Sequence, residues 1–476
     1  MHSKLSKSSS VYILYSIIII LIIRFILTGV IPLLDKTESR YAEIARIMQE
    51  TGEWAVLQID YGIPFWAKPP LSTWLSASSF QLFGVSELTA RLPFFILCIV
   101  LLIILGKFVK KAGHYFYLPA FILLTTPEFL LHAGVVSTDT ALCFCITLIM
   151  ISFWKSFNTE KKSFWNYLFF IGLGLGLLSK GPLVLVLVGP PLFIWLLVQK
   201  VTFKDIFTKL PWVLGLLITG LIAVPWYIIV ENKSPGFIDY FIVGEHFNRF
   251  LVSRWKGDLY GSGHSQPKGM IWVFLLGFAF PWIQVVLLKL WKTRKTFFKD
   301  KWVLFLTLWL FWTPLFFTLS TNILHTYILP VTIPLALLVV HWWNDFKSKK
   351  LLLRIGTIFP ILVFIATVIF ISSGEKLESY LNTDKYIIES TNSLEKEVPI
   401  YYWKNKTYSS QFYAKGKVQN ITNINELDSI YKKTSEFLMI VKNKKLKDIP
   451  LRITSKMIKI NSSKKATIYH IKKYNF

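Results

Sequence analysis

The chain has 476 residues, 53% of them hydrophobic and 16% aromatic, with 53 Lys and Arg against 27 Asp and Glu for a formal charge of +26. The apolar residues gather in repeated runs of membrane-spanning length, which excludes an ordinary soluble enzyme and defines a polytopic α-helical membrane protein. A nucleic-acid partner would need a basic face on a soluble domain, whereas these Lys and Arg sit between hydrophobic runs; none is expected.

In chain order, Lys4 and Lys7 precede an apolar run from Val11 to Leu34 with no small-residue cleavage site behind it, so it reads as a retained first span. Further runs fall near 88–106, 115–132, 140–157, 164–178, 182–199, 210–230, 270–288, 302–319, 326–343 and 353–372. At roughly 20 residues per span these predict about 11–13 transmembrane helices. The stretch Leu71 to Phe83 sets Ser72, Thr73, Ser76 and Ser79 opposite Leu71, Trp74, Leu75 and Phe83, and reads as a short amphipathic helix on the membrane surface. Cys98, Cys143 and Cys145 lie inside apolar runs without metal-ligand spacing and read as packing residues.

The positive-inside rule orients this count. With a cytoplasmic N-terminus, the loops on that side carry 21 basic residues against four acids, and those on the other side 11 against 13. Counting Leu71 to Phe83 as a span would turn the basic loops outward. From about Gly374 the composition shifts to Lys, Asn, Ser and Glu. Short alternating runs at Val398 to Trp403, Glu436 to Val441 and Ala466 to Ile471 predict a small α/β domain. The expected division is a membrane domain over 1–373, with its first outer loop at 35–87, and a soluble outer domain over 374–476.

That first loop concentrates chemistry. Asp35, Glu38, Arg40 and Tyr41 open a segment in which Tyr41, Ile44, Ala45 and Met48 recur at helical spacing, stopping near Gly52. It predicts an interfacial helix with Arg40, Glu43 and Glu50 toward water. Lys68 follows Trp66 and precedes Pro69 and Pro70, which stiffen the chain at headgroup level. Lys180 sits between two spans in a turn too tight for a soluble loop, while Asp139 opens a span as either a helix cap or a second active-site acid. In the long outer loop, Arg254 to His264 with three glycines predicts a mobile cover.

Together, Glu38-Ser39-Arg40-Tyr41-Ala42-Glu43-Ile44-Ala45-Arg46, Thr51-Gly52-Glu53-Trp54, Lys68-Pro69-Pro70, Ala90-Arg91-Leu92-Pro93, Ser179-Lys180-Gly181-Pro182, Glu245-His246-Phe247-Asn248-Arg249-Phe250 and Tyr327-Ile328-Leu329-Pro330 resemble the GT-C class of polyprenyl-phosphate-dependent membrane glycosyltransferases, in particular the ArnT-like lipid A transferases. The resemblance implies inverting transfer of a sugar, which in that family is an aminosugar, from undecaprenyl phosphate. It also implies an active site on the periplasmic face of the bacterial inner membrane. A carboxylate would position or deprotonate the acceptor, and cations would hold the departing phosphate. On this basis Asp35, ahead of Glu38, is the expected catalytic acid, because Thr37 stands where the family has the first acid of a pair. Arg40, Tyr41, Lys68, Lys180, Arg249, His264 and Tyr327 are the expected substrate-binding residues. Ala67 stands where the lipid A enzymes often have a metal-holding glutamate. Asp139 and His246 remain as metal candidates, two ligands where zinc takes three or four, so the sequence does not call for a metal cofactor.

The expected partners are the polyprenyl-phosphate sugar donor, lipid A or another envelope glycolipid as acceptor, and membrane lipids. Transfer to protein hydroxyls, as in protein mannosyltransferases, is the alternative within the enzyme class. A lipid-linked sugar transporter is less favoured, because charges gather on one surface and no repeated halves appear.

Overall fold

In a computed structural model, the described residues are 7–159, 163–252, 255–261, 265–392 and 398–472. Helix forms in each of the eleven apolar runs. Among the described residues, six helices are long and apolar enough to cross a membrane unbroken: the first, Lys7–Val30, then Glu87–Lys111, Thr138–Asn158, Trp212–Lys233, Lys301–Thr318 and Lys349–Ser373. The other runs are short or broken, and the breaks have local causes. Pro281 lacks a backbone donor, and Met270–Phe278 meets Trp282–Lys292 at 105° there. Thr125, Thr126 and Pro127 divide Leu118–Leu124 from Pro127–His132. Phe164–Lys180 and Leu183–Val198 are unbroken helices of 17 and 16 residues, the second with Pro190 and Pro191 inside it. Cys98, Cys143 and Cys145 are buried and unpaired.

Packing between helices uses small residues, as expected where lipid removes the hydrophobic drive for association. Along Phe164–Lys180, a Cβ on Gly174 would meet Ile222 at 2.8 Å and one on Gly176 would meet Val184 at 2.6 Å.

The first loop, 35–87, folds as a platform of two short helices. Thr37–Thr51 ends as expected at Gly52, whose N–H reaches Met48 O with φ +70°. It is buried on more sides than its pattern suggested. Glu43, expected to face water, is 1% exposed, where Arg46 clamps both its oxygens at 2.7 Å and offsets part of the cost of burying the charge. Arg46 also pairs with Glu50. The second helix, Leu71–Phe83, is too short to span, and its serine face turns inward: Ser76 Oγ donates to Ala90 O at 2.9 Å, while Leu82 and Phe83 are exposed.

Beyond Ser373 lies a five-stranded sheet in the order Val418–Ile421, Ile400–Trp403, Glu436–Lys442, Ala466–Lys472, Met457–Ser462. The first three strands are mutually parallel and the last two antiparallel additions. The three strands expected from alternation form its centre. Both edge strands escaped the pattern because they are short or polar, with Lys459, Asn461 and Ser462 on one of them. Its helix Tyr408–Tyr413 packs on Thr37–Thr51, and Tyr413 OH accepts from Leu33 N at 2.7 Å.

Candidate active site

A cavity of about 660 Å³ opens where the platform meets the membrane helices. Thr37, Arg40 and Tyr41 enter it from the first turn of Thr37–Thr51, and Lys68 from the following loop. Asp139 and Lys180 come from opposite helix poles. Ser137 caps Thr138–Asn158 by accepting from Asp139 N at 3.1 Å, leaving Asp139 in the first turn, where the helix dipole favours an anion. Lys180 ends Phe164–Lys180, where a cation is favoured, and its Nζ lies 2.5 Å from Asp139 Oδ1. Gly181 follows at φ +62° with the Phe241 ring 2.6 Å from where a Cβ would stand, so only glycine fits this turn.

The far wall is a π-helical turn, Tyr240–Asn248, continued by Arg249. It brings in Glu245, which the sequence reading passed over. Glu245 takes Lys68 Nζ at 2.9 Å and Arg249 Nη1 at 2.9 Å, and Asp258 lies 3.5 Å from Arg249 Nε. Burial works to raise the Glu245 carboxyl, and Lys68 and Arg249 together overcome it, holding it below the ordinary carboxylate range. The signal was present in the motif: Glu245 and Arg249 stand four residues apart, the spacing of a helical ion pair. Tyr327 stands 5.0 Å from Lys180 Nζ, and the neighbouring Thr326 donates to Asp139 Oδ2 at 3.2 Å. Arg40 has no carboxylate partner among the described residues; it lies 5.3 Å from the Tyr41 ring and 5.6 Å from the Phe65 ring. Leu183, Val186, Phe250 and Phe316 give the cavity an apolar side.

Of the expected site residues, Arg40, Tyr41, Lys68, Asp139, Lys180, His246, Arg249 and Tyr327 line this one cavity. His264 lies outside the described residues. Asp35 and Glu38, the expected acids, do not line it. Asp35 faces the C-terminal sheet domain, accepting from Ser39 Oγ at 2.7 Å, Ser409 N at 3.0 Å, Ser409 Oγ at 2.6 Å and Lys465 Nζ at 2.6 Å. Glu38 is held at both oxygens by Arg91 at 2.7 Å and braces the loop at Val136 N. Thr37, between them, is the residue that reaches the wall.

The metal positions do not assemble here. His246 Nδ1 lies 2.7 Å from Phe241 O and Nε2 3.1 Å from Lys180 O, so neither ring nitrogen turns a lone pair to an ion. Burial, with Lys68 nearby, keeps the imidazole below its usual range. Asp139 is already committed to Lys180 and Thr326. The residues present therefore do not fit a metal ion at these positions.

The fold aligns with ArnT from Cupriavidus metallidurans, in the apo state at TM-score 0.75 and bound to undecaprenyl phosphate at 0.73, each at 17% identity over 98% of both chains. It also aligns with the archaeal oligosaccharyltransferase AglB from Archaeoglobus fulgidus at TM-score 0.51 and 13% identity, over 92% of this chain and 70% of that one. A helical membrane body with a polar platform over one end, carrying a C-terminal sheet domain, is the arrangement that aligns. The profile of the dolichyl-phosphate-mannose-protein mannosyltransferase family matches residues 9–241. The undecaprenyl phosphate-alpha-4-amino-4-deoxy-L-arabinose arabinosyl transferase of Wigglesworthia glossinidia brevipalpis is 30% identical over 72% of this chain and 61% of its own length. One of two from Proteus mirabilis is 30% identical over 74% and 64%. By sequence the chain is similar to the ArnT-like transferases, whose fold it shares, and it spans a little over three fifths of the length of these relatives.

Proposed function

We propose that the chain is an inverting glycosyltransferase of the bacterial inner membrane that moves a sugar from undecaprenyl phosphate to lipid A or another envelope glycolipid on the periplasmic face. The observation that carries the proposal is the convergence of Lys68, Lys180, Arg249 and Arg40 on one cavity with an apolar side. Lipid phosphate combines those two requirements in one molecule, an anion on a long apolar chain. Residues 1–373 form the catalytic membrane domain in this reading, and 374–476 the outer domain that buttresses its first loop.

In the reaction an acceptor oxygen forms a bond to the anomeric carbon as the bond from that carbon to the phosphate oxygen breaks, and the electron pair leaves with the phosphate. Lys68, Lys180 and Arg249 hold the phosphate and stabilise its added charge, Tyr327 borders it beside Lys180, and Arg40 with Tyr41 forms the acceptor side. A lipid A phosphate is already an anion and needs positioning more than a base. Asp35 and Glu38, engaged elsewhere, then position Thr37 and Arg40 without moving a proton. Undecaprenyl phosphate and aminoarabinose appear in the names of the relatives above, which supports this donor class.

Lys68→Ala and Lys180→Ala proteins, folded in the membrane, are expected to lose about 100-fold in kcat/KM for a polyprenyl-phosphate sugar. Full activity in both would sink the proposal. The match to the mannosyltransferase profile favours a second reading, transfer to protein hydroxyls. Mass spectra of lipid A and of periplasmic proteins from a deletion strain separate the two.

A further inference from the structure

Outside the cavity, one cluster has ligand chemistry that the proposed reaction does not use. Glu128 and His132 stand four residues apart on Pro127–His132, and His325 opens the turn His325–Val331. His132 Nδ1 lies 3.0 Å from Glu128 Oε1 and also 3.0 Å from the Glu128 backbone oxygen, and His325 Nδ1 lies 2.9 Å from Glu128 Oε2. Among the described residues these are the one group of three His, Cys, Asp or Glu whose ligand atoms all fall within 4.8 Å of one another.

We propose that Glu128, His132 and His325 form a zinc site of two imidazoles and one carboxylate. Three arguments converge. The Glu128 side chain is fully buried and its described ion-pair partners are the two histidines, so the charge there is compensated by imidazolium or by a metal ion. Ligand atoms about 3 Å apart need only a small expansion to sit at zinc bond lengths of about 2.0–2.2 Å, and His, His and a carboxylate are a donor set zinc accepts, with a fourth position left open. The His325 side chain is 37% exposed, so the cluster is not sealed inside the protein. His325 is also held in place, stacked on Phe278 at 4.8 Å and 11°.

The site ties the short helix Pro127–His132 to the turn bearing Thr326 and Tyr327, which contact Asp139 and Lys180. An ion here acts on the cavity through position alone, a consequence that rests on the function proposed above; the binding itself does not.

The test uses the full chain in detergent, stripped with EDTA and dialysed against micromolar Zn²⁺, with metal counted by mass spectrometry. About one equivalent per chain is expected. Glu128→Gln and His325→Gln are expected to retain about none, and His246→Gln to retain the full equivalent. Because a buried substitution can unfold the chain, the unaltered protein is also titrated with Co²⁺, which should give the visible absorption of a four-coordinate nitrogen and oxygen site and be displaced by Zn²⁺. Unaltered protein that keeps no metal and shows no such spectrum overturns the proposal. So does a folded Glu128→Gln or His325→Gln protein that keeps a full equivalent. Transfer activity enters neither measurement, so failure here leaves the glycosyltransferase reading standing, and the reverse.

Discussion

Asp35→Asn tests whether the residue that looks most catalytic in the sequence acts through docking instead. Its carboxylate accepts four hydrogen bonds, three of them from Ser409 and Lys465 of the C-terminal domain, and its backbone exchanges two more with Asn382. Breaking a buried ion pair from one side costs about 3–5 kcal/mol. Lys465 keeps Asp384 at 3.6 Å and is 20% exposed, and asparagine still accepts at one oxygen, which brings the expected cost to about 2 kcal/mol. That is roughly a 30-fold rise in the undocked population. Hydrogen exchange should show lost protection over Ile400–Ile421 and Ser463–Lys472, while kcat at saturating donor falls less than tenfold. The reasoning is refuted if exchange is unchanged and kcat falls by three orders of magnitude, the behaviour of a proton-transferring acid.

Glu43→Gln strips Arg46 of its bidentate partner inside the platform but leaves Glu50 and Tyr61 beside it, so a cost of about 2–3 kcal/mol is expected as a lower Tm in detergent. Gly176→Ala drives a methyl into Val184 at 2.6 Å and should cost about 1–3 kcal/mol by the same assay, with kcat unchanged in the folded fraction. The Glu245 carboxyl is held below its usual 4.5, so the unfolded chain binds more protons; its stabilisation is fully present above about pH 4.5 and is lost as pH falls through the folded value. Protection of Tyr240–Asn248 in hydrogen exchange should fade in that acid window, and Glu245→Gln should remove the pH dependence.

How far the fold was legible follows from which forces set each part. The eleven apolar runs were visible because lipid demands continuous hydrophobicity, but whether a run became one helix depended on local breakers such as Pro127 and Pro281, which periodicity averages away. In the platform, the helix at Thr37–Thr51 and its stop at Gly52 are local facts and were readable. The burial of Glu43 was not, because it depends on Arg46 and on Gly416, packed where a Cβ would meet Arg46 Nη2 at 2.8 Å. Lys180 announced itself by standing alone between two apolar spans, while Arg40, Lys68 and Arg249 were singled out by the motifs they belong to. Asp35 carried the same signal and a different destination: Ser409 and Lys465, more than 370 residues onward, take its carboxylate, and nothing local encodes that pairing.

The placement of Glu245 bears on how such a site works. A pocket that only attracted phosphate would gain from cations without acids, yet Lys68 and Arg249 share one buried carboxylate and Lys180 leans on another. A lysine has three N–H donors and an arginine five, so each cation fixed by an acid still has donors to offer a ligand. Fixing them before the ligand arrives removes the cost of ordering long side chains at the moment charge develops on the departing phosphate. It follows that neutralising Glu245 makes the pocket more positive and less ordered at once. Affinity for lipid phosphate and turnover should then part company, with binding held or strengthened and kcat reduced, whereas a purely electrostatic trap would improve in both.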